Sequence, residues 1–246
     1  MFMSIQITLD PAQRKTYLDT LLANDGLTHI EEDPDAAYCP ISLTQTPELL
    51  KPYVQQRQDI LMNKVLAAAN ITAYDPASAP YSPDTNLTSQ PDEVYLVDSS
   101  KIVGARFFVG HNLLPSTGYG VEAEKAKLFN RISVILVDAN VRVSRMQPHR
   151  AIYLQYSNFL AEHEKFIPVF ELLRQYEPGM GFDNGVPALL GFGKDSGKVV
   201  NLEREVYSQF PELQYKYDGT KAVAQLDVTN PEIFYEYRTK GAGPRA

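Results

Sequence analysis

The sequence has almost no cysteine. Cys39 is the single one among 246 residues, which excludes an internal disulfide and any metal site built from several cysteines. The four histidines show no ligand spacing such as H-x-x-x-H. We therefore expect no metal site, and no pattern in the sequence calls for another cofactor.

Long apolar runs and a basic charge balance are also absent. No apolar run approaches 18 residues, and residues 1–11 lack the basic start and apolar core of a secretory signal. We therefore expect a cytoplasmic protein without a membrane partner. The formal net charge of −7 argues against a nucleic-acid polymer as partner, because such proteins need a basic face. A small anionic ligand is compatible with this charge, since backbone amides can hold a phosphate locally.

The apolar segments predict an α/β fold with a parallel sheet. A hydrophobic content of 44% is ordinary for a globular protein with a real core. Apolar strands are predicted at 105–114 and 132–137, with a helix at about 118–129 between them. Such a succession argues for a parallel sheet covered on both faces. We divide the chain into a strand–helix extension at 1–35, a core at 36–176 and a C-terminal extension at 177–246.

Three further local predictions concern the surroundings of the core. Residues 36–43 read as a buried strand, and Asp98 reads as the cap of a short helix that ends near Gly104. After Pro178 the glycines are frequent, and we predict a loop-rich stretch over 181–197.

The most informative stretch is 115–126, which follows one strand and opens a helix. In parallel α/β sheets, ligands bind beyond the carboxyl ends of the strands. Ser116, Gly118 and Gly120 are predicted to place a hydroxyl and open backbone N–H groups at the helix start, where an anion such as phosphate is favoured. Glu122 is predicted to lie in the first turn, where a carboxylate is either functional or simply favourable for the helix.

This stretch and the residues around it resemble the nucleoside 2-deoxyribosyltransferase superfamily, most closely its 2′-deoxynucleoside 5′-monophosphate N-glycosidase branch. Residues 115–122 meet the pattern P-S-x-G-x-G-x-E. Asp98 matches the aspartate that this branch has before the central strand, and Ser144 and Met146 match its S-x-M turn. The resemblance covers roughly residues 36–176.

The resemblance implies a flavodoxin-like, doubly wound parallel sheet of five strands in the order 2-1-3-4-5, assembled as a homodimer or larger homo-oligomer. It implies cleavage or transfer of the N-glycosidic bond of (deoxy)nucleosides or their 5′-monophosphates. In that activity Glu122 is the nucleophile, Asp98 assists departure of the base, and Ser116 and Ser144 hold the 5′-phosphate. The chemistry is consistent, because a carboxylate below the anomeric carbon stabilises the positive charge that develops on the sugar.

Other interpretations stay open. Tyr38 and Ser42 either contact the base or sugar or pack in the core. Arg106 stands where the family often has an aspartate, and we expect it to pair with a carboxylate and to act on substrate preference from near the Glu122 cleft. The turn at 115–122 also resembles the P-G-G-x-G-T-x-x-E turn of cytokinin-activating phosphoribohydrolases. A nucleotide-binding module without turnover is the non-enzymatic alternative.

Overall fold

The secondary structure alternates strands and helices through most of the chain. The computed structural model describes residues 5–24, 26–27, 30–42, 46, 48, 51–77, 90–112, 116–143 and 150–221. The strands are β1 (Ile5–Leu9), β2 (Asp33–Tyr38), β3 (Thr72–Tyr74), β4 (Ala105–His111), β5 (Ile132–Asp138), β6 (Ile152–Tyr156), β7 (Tyr176–Asp183), β8 (Val186–Gly193) and β9 (Val199–Asn201). The α-helices are α1 (Pro11–Asn24), α2 (Lys51–Ile60), α3 (Pro91–Gly104), α4 (Thr117–Leu128), α5 (Phe159–Glu162), α6 (Ile167–Leu173) and α7 (Leu202–Gln209). A π-helix at Leu61–Leu66 continues α2, and short 3-10 helices lie at His163–Phe166 and Pro211–Leu213.

A five-stranded, all-parallel sheet forms the centre of the protein. Its strands lie in the order β3-β2-β4-β5-β6, which is 2-1-3-4-5 when they are counted from β2. Every residue of β4 and β5 is buried, as expected for central strands that are covered on both faces. The expected flavodoxin-like α/β fold class is confirmed.

Helices cover the two faces of this sheet with separate apolar layers. On one face, Leu61 of the π-helix and Phe170 of α6 pack with Phe107 of β4. On the other face, Ile102 of α3 and Tyr119 of α4 pack with the next residue of β4, Phe108. The alternation along β4 therefore separates the layers, because successive strand residues point to opposite faces. None of the helices in the described ranges is long and apolar enough to cross a membrane.

The two extensions meet in a second, antiparallel sheet with the order β1-β7-β8-β9. The prediction of a loop-rich stretch over 181–197 is wrong, because β7 and β8 pair over eight residues each. At Gly179 and Gly181, glycine is needed because other groups come close, whereas Gly185 and Gly197 have positive φ angles of 79° and 62°. A Cβ at Gly181 would lie 2.2 Å from the Gln6 backbone oxygen, and one at Gly179 would lie 2.1 Å from the Phe192 ring.

A cluster of buried arginines joins the N-terminal extension to the amino edge of the central sheet. Glu32, just before β2, lies 3.1 Å from Arg14, 3.6 Å from Arg106 and also beside Arg131. Arg106 also pairs with Glu177 at 2.9 Å, which confirms the expectation that it has a carboxylate partner. The expectation that Arg106 lies near the Glu122 cleft is wrong. Arg106 is the second residue of β4, and its partners lie at the amino ends of the strands.

Candidate active site

The candidate site lies at the carboxyl edge of the central sheet, around Tyr38. This residue ends β2 and pairs with Tyr74 of β3 and Phe108 of β4. Its ring is fully buried and stacks on both neighbours, with ring centroids 5.7 Å and 6.0 Å away. Its hydroxyl donates a hydrogen bond to Glu122 Oε1 at 2.9 Å. The ring of Tyr38 therefore packs in the core, as one of the two interpretations from the sequence expected, and its hydroxyl contacts Glu122. The contact with a base or sugar stays a prediction.

Helix α4 carries Glu122 on its second turn. The prediction that Glu122 lies in the first turn is wrong, because the helix already begins at Thr117 and its first turn contains no acidic residue. Ser116 is the N-cap, and its hydroxyl accepts a hydrogen bond from the Tyr119 amide at 3.4 Å. The position of Glu122 is therefore set by contacts with the sheet, rather than by the attraction of the helix N-terminus for negative charge.

The glycines of the motif lie inside the first turn of α4 rather than in a loop ahead of it. The Gly120 amide donates to the Ser116 carbonyl at 3.1 Å, so the expectation that all amides of this turn are open is wrong. A Cβ at Gly118 would meet only Ser116 Oγ, at 3.8 Å, and a Cβ at Gly120 would meet nothing within 4 Å. The two glycines therefore leave space beside the helix start, and the amides of the first turn before Tyr119 have no partner within an α-helix.

Asp98 lies on the same side of the sheet, on α3. It is a mid-helix residue, so the prediction that it caps a short helix is wrong. The helix begins seven residues earlier because Gln90 and Glu93 form a capping box around Pro91. Burial raises the pKa of Asp98. Hydrogen bonding with the nearby Tyr38 hydroxyl partly opposes this rise.

The electrostatics of the cluster favour protonated carboxyl groups. The pKa of Glu122 is raised to about 7, mainly by burial and also by the charge of Asp98, while the hydrogen bond from Tyr38 opposes the rise. Burial first, then the charges of Glu122 and Asp98, raises the pKa of Tyr38 far above its ordinary value. Tyr38 therefore keeps its proton at any physiological pH and acts as a donor. Burial and the charges of Asp98 and Asp75 also raise the pKa of Tyr74, to about 12.

This arrangement suits acid–base chemistry. A phenol has one proton to donate, and the 2.9 Å contact assigns it to Glu122. Glu122 is therefore the carboxyl group whose anion has a described hydrogen-bond donor, while burial raises the pKa values of both Glu122 and Asp98. Two carboxyl groups in different environments can divide the roles of nucleophile and acid in this way.

A lysine bridge holds the two helices of the site together. Lys125 Nζ donates to Ser99 Oγ at 2.8 Å and to Tyr95 Oη at 2.7 Å. Ser99 follows Asp98 on α3, and Lys125 lies three residues after Glu122 on α4. These contacts therefore fix the helix that carries one carboxyl group against the helix that carries the other.

Ser42 is not brought into the cluster. Ser42 lies beyond the end of β2, where its carbonyl accepts from the Thr46 hydroxyl, and within the described ranges its side chain makes no hydrogen bond to Tyr38, Asp98 or Glu122. Ser144 and Met146 lie outside the described residues. The prediction of a phosphate contact from Ser144 stays a prediction.

Tyr119 belongs to the site but does not stand out in the sequence. Its hydroxyl is buried and has no hydrogen-bond partner among the described residues, and burial, followed by the charges of Tyr153 and Glu122, raises its pKa well above the ordinary value. Its ring packs on Gly110 of β4, where a Cβ would lie 2.8 Å from it. The one sequence signal is a large aromatic residue between the two glycines of the motif.

Within the described ranges, no group of three His, Cys, Asp or Glu side chains could hold a metal ion. A cavity of about 320 Å³ lies between β6 and the second sheet, and none of the candidate site residues lines it.

Comparison with known proteins gives no relative, since no family model, curated protein or solved structure matches the chain.

Proposed function

We propose that this protein cleaves or transfers the N-glycosidic bond of (deoxy)nucleosides or their 5′-monophosphates, with Glu122 as nucleophile. The observation that carries this proposal is the meeting of Glu122 and Asp98 at the Tyr38 hydroxyl, at the sheet edge where ligands bind in such folds. These residues come from three separate parts of the chain. Carboxyl groups whose pKa values are raised by burial and by a neighbouring carboxyl group are a feature of catalytic sites.

The proposed reaction uses the two carboxyl groups in turn. The Glu122 carboxylate attacks the anomeric carbon while the C–N bond breaks and its electron pair leaves with the base. Asp98 in its protonated form donates a proton to that base. Water then attacks the glycosyl ester, with Asp98 taking up the proton, and releases the sugar; a second base in place of water gives transfer. Since Tyr38 holds Oε1 of Glu122, Oε2 is the oxygen available for attack.

The start of α4 is the proposed place for a 5′-phosphate. Space beside Gly118 and Gly120, the amides of the first turn and the Ser116 hydroxyl, which can still donate its proton, suit an anion. Because the phosphate lies one turn before Glu122, holding it would fix the sugar over the nucleophile. A nucleotide is then a better substrate than its nucleoside.

A homodimer or larger homo-oligomer is part of the proposal. Helices α3 and α4 carry large apolar side chains that remain 43–52% exposed in one chain, at Tyr95, Leu96 and Val121. Such side chains suit an interface between two copies of the chain.

The decisive experiment is the release of free base from a panel of nucleosides and 5′-monophosphates, followed by chromatography. The wild-type protein is expected to release free base, and the Glu122→Gln variant is expected to release none. Glu124→Gln is the matched control, because Glu124 lies on the exposed side of the same helix and pairs with Lys127. A Glu122→Gln protein that keeps most of the activity would refute the assignment of the nucleophile. Binding without base release by the wild type would instead indicate a nucleotide-binding module.

A further inference from the structure

A second site at the carboxyl edge is centred on Arg57 of α2. The guanidinium lies over the ring of Tyr156, the last residue of β6, and near Phe159 of α5. Phe159 and Tyr156 belong to the apolar layer that includes Phe107. Glu122 lies on α4, which packs on the other face with Phe108. The Arg57 site and the candidate active site are therefore on opposite faces of the sheet.

Arg57 is a buried cation, and two of its three guanidinium nitrogens have no hydrogen-bond partner among the described residues. Its side chain is 1% exposed, and its Nε and Nη1 atoms have no hydrogen-bond partner within the described part of the chain. These two nitrogens carry three of the five N–H groups of a guanidinium. No ion pair joins Arg57 to a carboxylate of the described residues. Elsewhere in the protein the buried arginines lie beside carboxylates, as Arg14, Arg106 and Arg131 do.

Aromatic rings and a neutral histidine form the surroundings of this cation. The guanidinium carbon lies 4.6 Å from the Tyr53 ring centroid, 5.0 Å from Tyr156 and 5.8 Å from Phe159. His111, the last residue of β4, lies against Phe159 with ring centroids 4.5 Å apart, and neither of its ring nitrogens has a partner in the described structure. Burial, then the charge of Arg57, lowers the pKa of His111 well below its ordinary value, so His111 is uncharged at neutral pH.

The rings attract the cation but do not replace an anion. Cation–π contacts stabilise a buried guanidinium, yet they leave its N–H groups without acceptors. A buried charge is costly unless it is paired and hydrogen-bonded. Arginine is also the side chain best suited to bind a carboxylate or a phosphate through several N–H groups at once.

We propose that Arg57 and His111 form a binding site for an anionic group of a small ligand, a phosphate or a carboxylate, on the face of the sheet opposite Glu122. Arg57 supplies the charge and the N–H donors, and the imidazole of His111 supplies one further donor. The rings of Tyr53, Tyr156 and Phe159 provide apolar contacts for the rest of the ligand, as is usual in small-molecule sites. This site does not depend on the glycosidase proposal.

The test is a binding titration at neutral pH with inorganic phosphate, sulfate and acetate, at constant ionic strength. The wild-type protein is expected to bind at least one of them, and the preference for phosphate or acetate identifies the anionic group. Arg57→Met is expected to raise the dissociation constant about tenfold or more, because it removes charge-assisted hydrogen bonds. The matched control is Arg174→Met, which removes an arginine that is already paired with Asp35 at 2.7 Å and should leave the constant unchanged.

The start of α4 is a second possible anion site, and Ser116→Ala separates the two. If the proposal is correct, Arg57→Met loses affinity for the anion, whereas Ser116→Ala and Glu122→Gln bind it like the wild type. This holds whatever the effect of the last two variants on base release. Equal affinity of Arg57→Met and the wild type overturns the proposal. So does a wild type that binds none of the three anions.

A second measurement covers the case in which Arg57→Met does not fold. Arg57→Lys keeps the charge but lacks the guanidinium. The arginine 15Nε–H signal that is present in the NMR spectrum of the wild type and absent from that of Arg57→Lys is therefore the signal of Arg57. That signal is expected to shift as the bound anion is titrated into the wild-type protein. A signal that stays unmoved while binding saturates overturns the proposal.

Discussion

Replacing Glu122 by glutamine should stabilise the folded protein, and increasingly so as the pH rises. Glu122 lies half-buried against Tyr38, and its pKa rises from 4.5 to about 7 on folding. A group whose pKa is raised in the folded state favours folding only while it is protonated. This contribution is complete below pH 4.5 and is lost as the pH rises through 7. Glutamine has a similar shape and stays neutral, so it does not lose the contribution.

The magnitude follows from the change in the pKa of Glu122. A rise from 4.5 to about 7 corresponds to about 3 kcal/mol, at about 1.4 kcal/mol per pH unit. Since Glu122 is partly accessible to water, we expect about 2–3 kcal/mol. Near pH 4 the wild type and Glu122→Gln should differ little in their free energy of unfolding. Above pH 8 the variant should be the more stable by this amount.

Urea unfolding of both proteins from pH 4 to pH 8.5 measures this difference. Glu124→Gln is again the control, because its carboxylate is exposed and forms a surface ion pair that contributes about 1 kcal/mol at most. If the free energies of unfolding of wild type and Glu122→Gln stay parallel across this range, Glu122 is not a buried carboxyl group with a raised pKa. The electrostatic reasoning about the site is then refuted.

Two further predictions concern the contacts of the site and of the amino edge of the sheet. Tyr38→Phe removes the hydrogen bond to the Glu122 carboxylate, so the pKa of Glu122 should rise by about one unit; titration of the Glu122 carboxyl carbon by NMR checks this, and an unchanged pKa contradicts it. Glu32→Gln leaves buried arginines without their shared carboxylate and should cost about 3 kcal/mol in urea unfolding. The control Asp35→Asn breaks the more exposed pair with Arg174 and should cost less than about 1 kcal/mol; equal costs would contradict the argument.

The fold class could be predicted because its signals are local. The strands β4 and β5 are mostly apolar with single polar residues such as Arg106 and Ser133, as is typical of strands buried on both faces. The segment between them has the composition of a helix. Helix α3 could also have been read correctly. Pro91 at its first position, followed by Asp92 and Glu93, is a typical helix start. The sequence Asp98-Ser99-Ser100 is also a capping pattern, and it competes with this earlier helix start.

The strands β7 and β8 could not be read from local signals. Glycine in a sequence usually marks a turn. Positions 179 and 181 instead require glycine because other parts of the chain leave no room for a side chain. The group nearest a Cβ at Gly181 is the backbone of Gln6, which lies far away along the chain. The sequence around Gly181 does not show that Gln6 packs against it, so the frequent glycines predict loops there.

The candidate site also has residues that the sequence could predict and contacts that it could not. The residue types in 115–122 and the resemblance pointed to Glu122 and Asp98, but the contact between Tyr38 and Glu122 joins residues 84 positions apart. Burial of a carboxylate is a property of the packed structure, so its raised pKa had no sequence signal. The Arg57 site shows the same limit, because an arginine on a helix looks solvent-exposed until its surroundings are known.

The arginines around Glu32 and the two carboxyl groups of the candidate site lie at opposite edges of the central sheet, and this separation explains how these carboxyl groups keep raised pKa values. At the amino edge, Arg131 donates to the Phe129, Val103 and Ala105 carbonyls, near the C-terminal ends of α3 and α4, where a positive charge is favourable. At the carboxyl edge, Glu122 and Asp98 have no arginine partner among the described residues. Their only described charge-stabilising contact is the Tyr38 hydroxyl. The arginines at the amino edge therefore stabilise the fold without lowering the pKa values of the site, and the carboxyl groups keep the raised pKa values that acid–base chemistry near neutral pH requires.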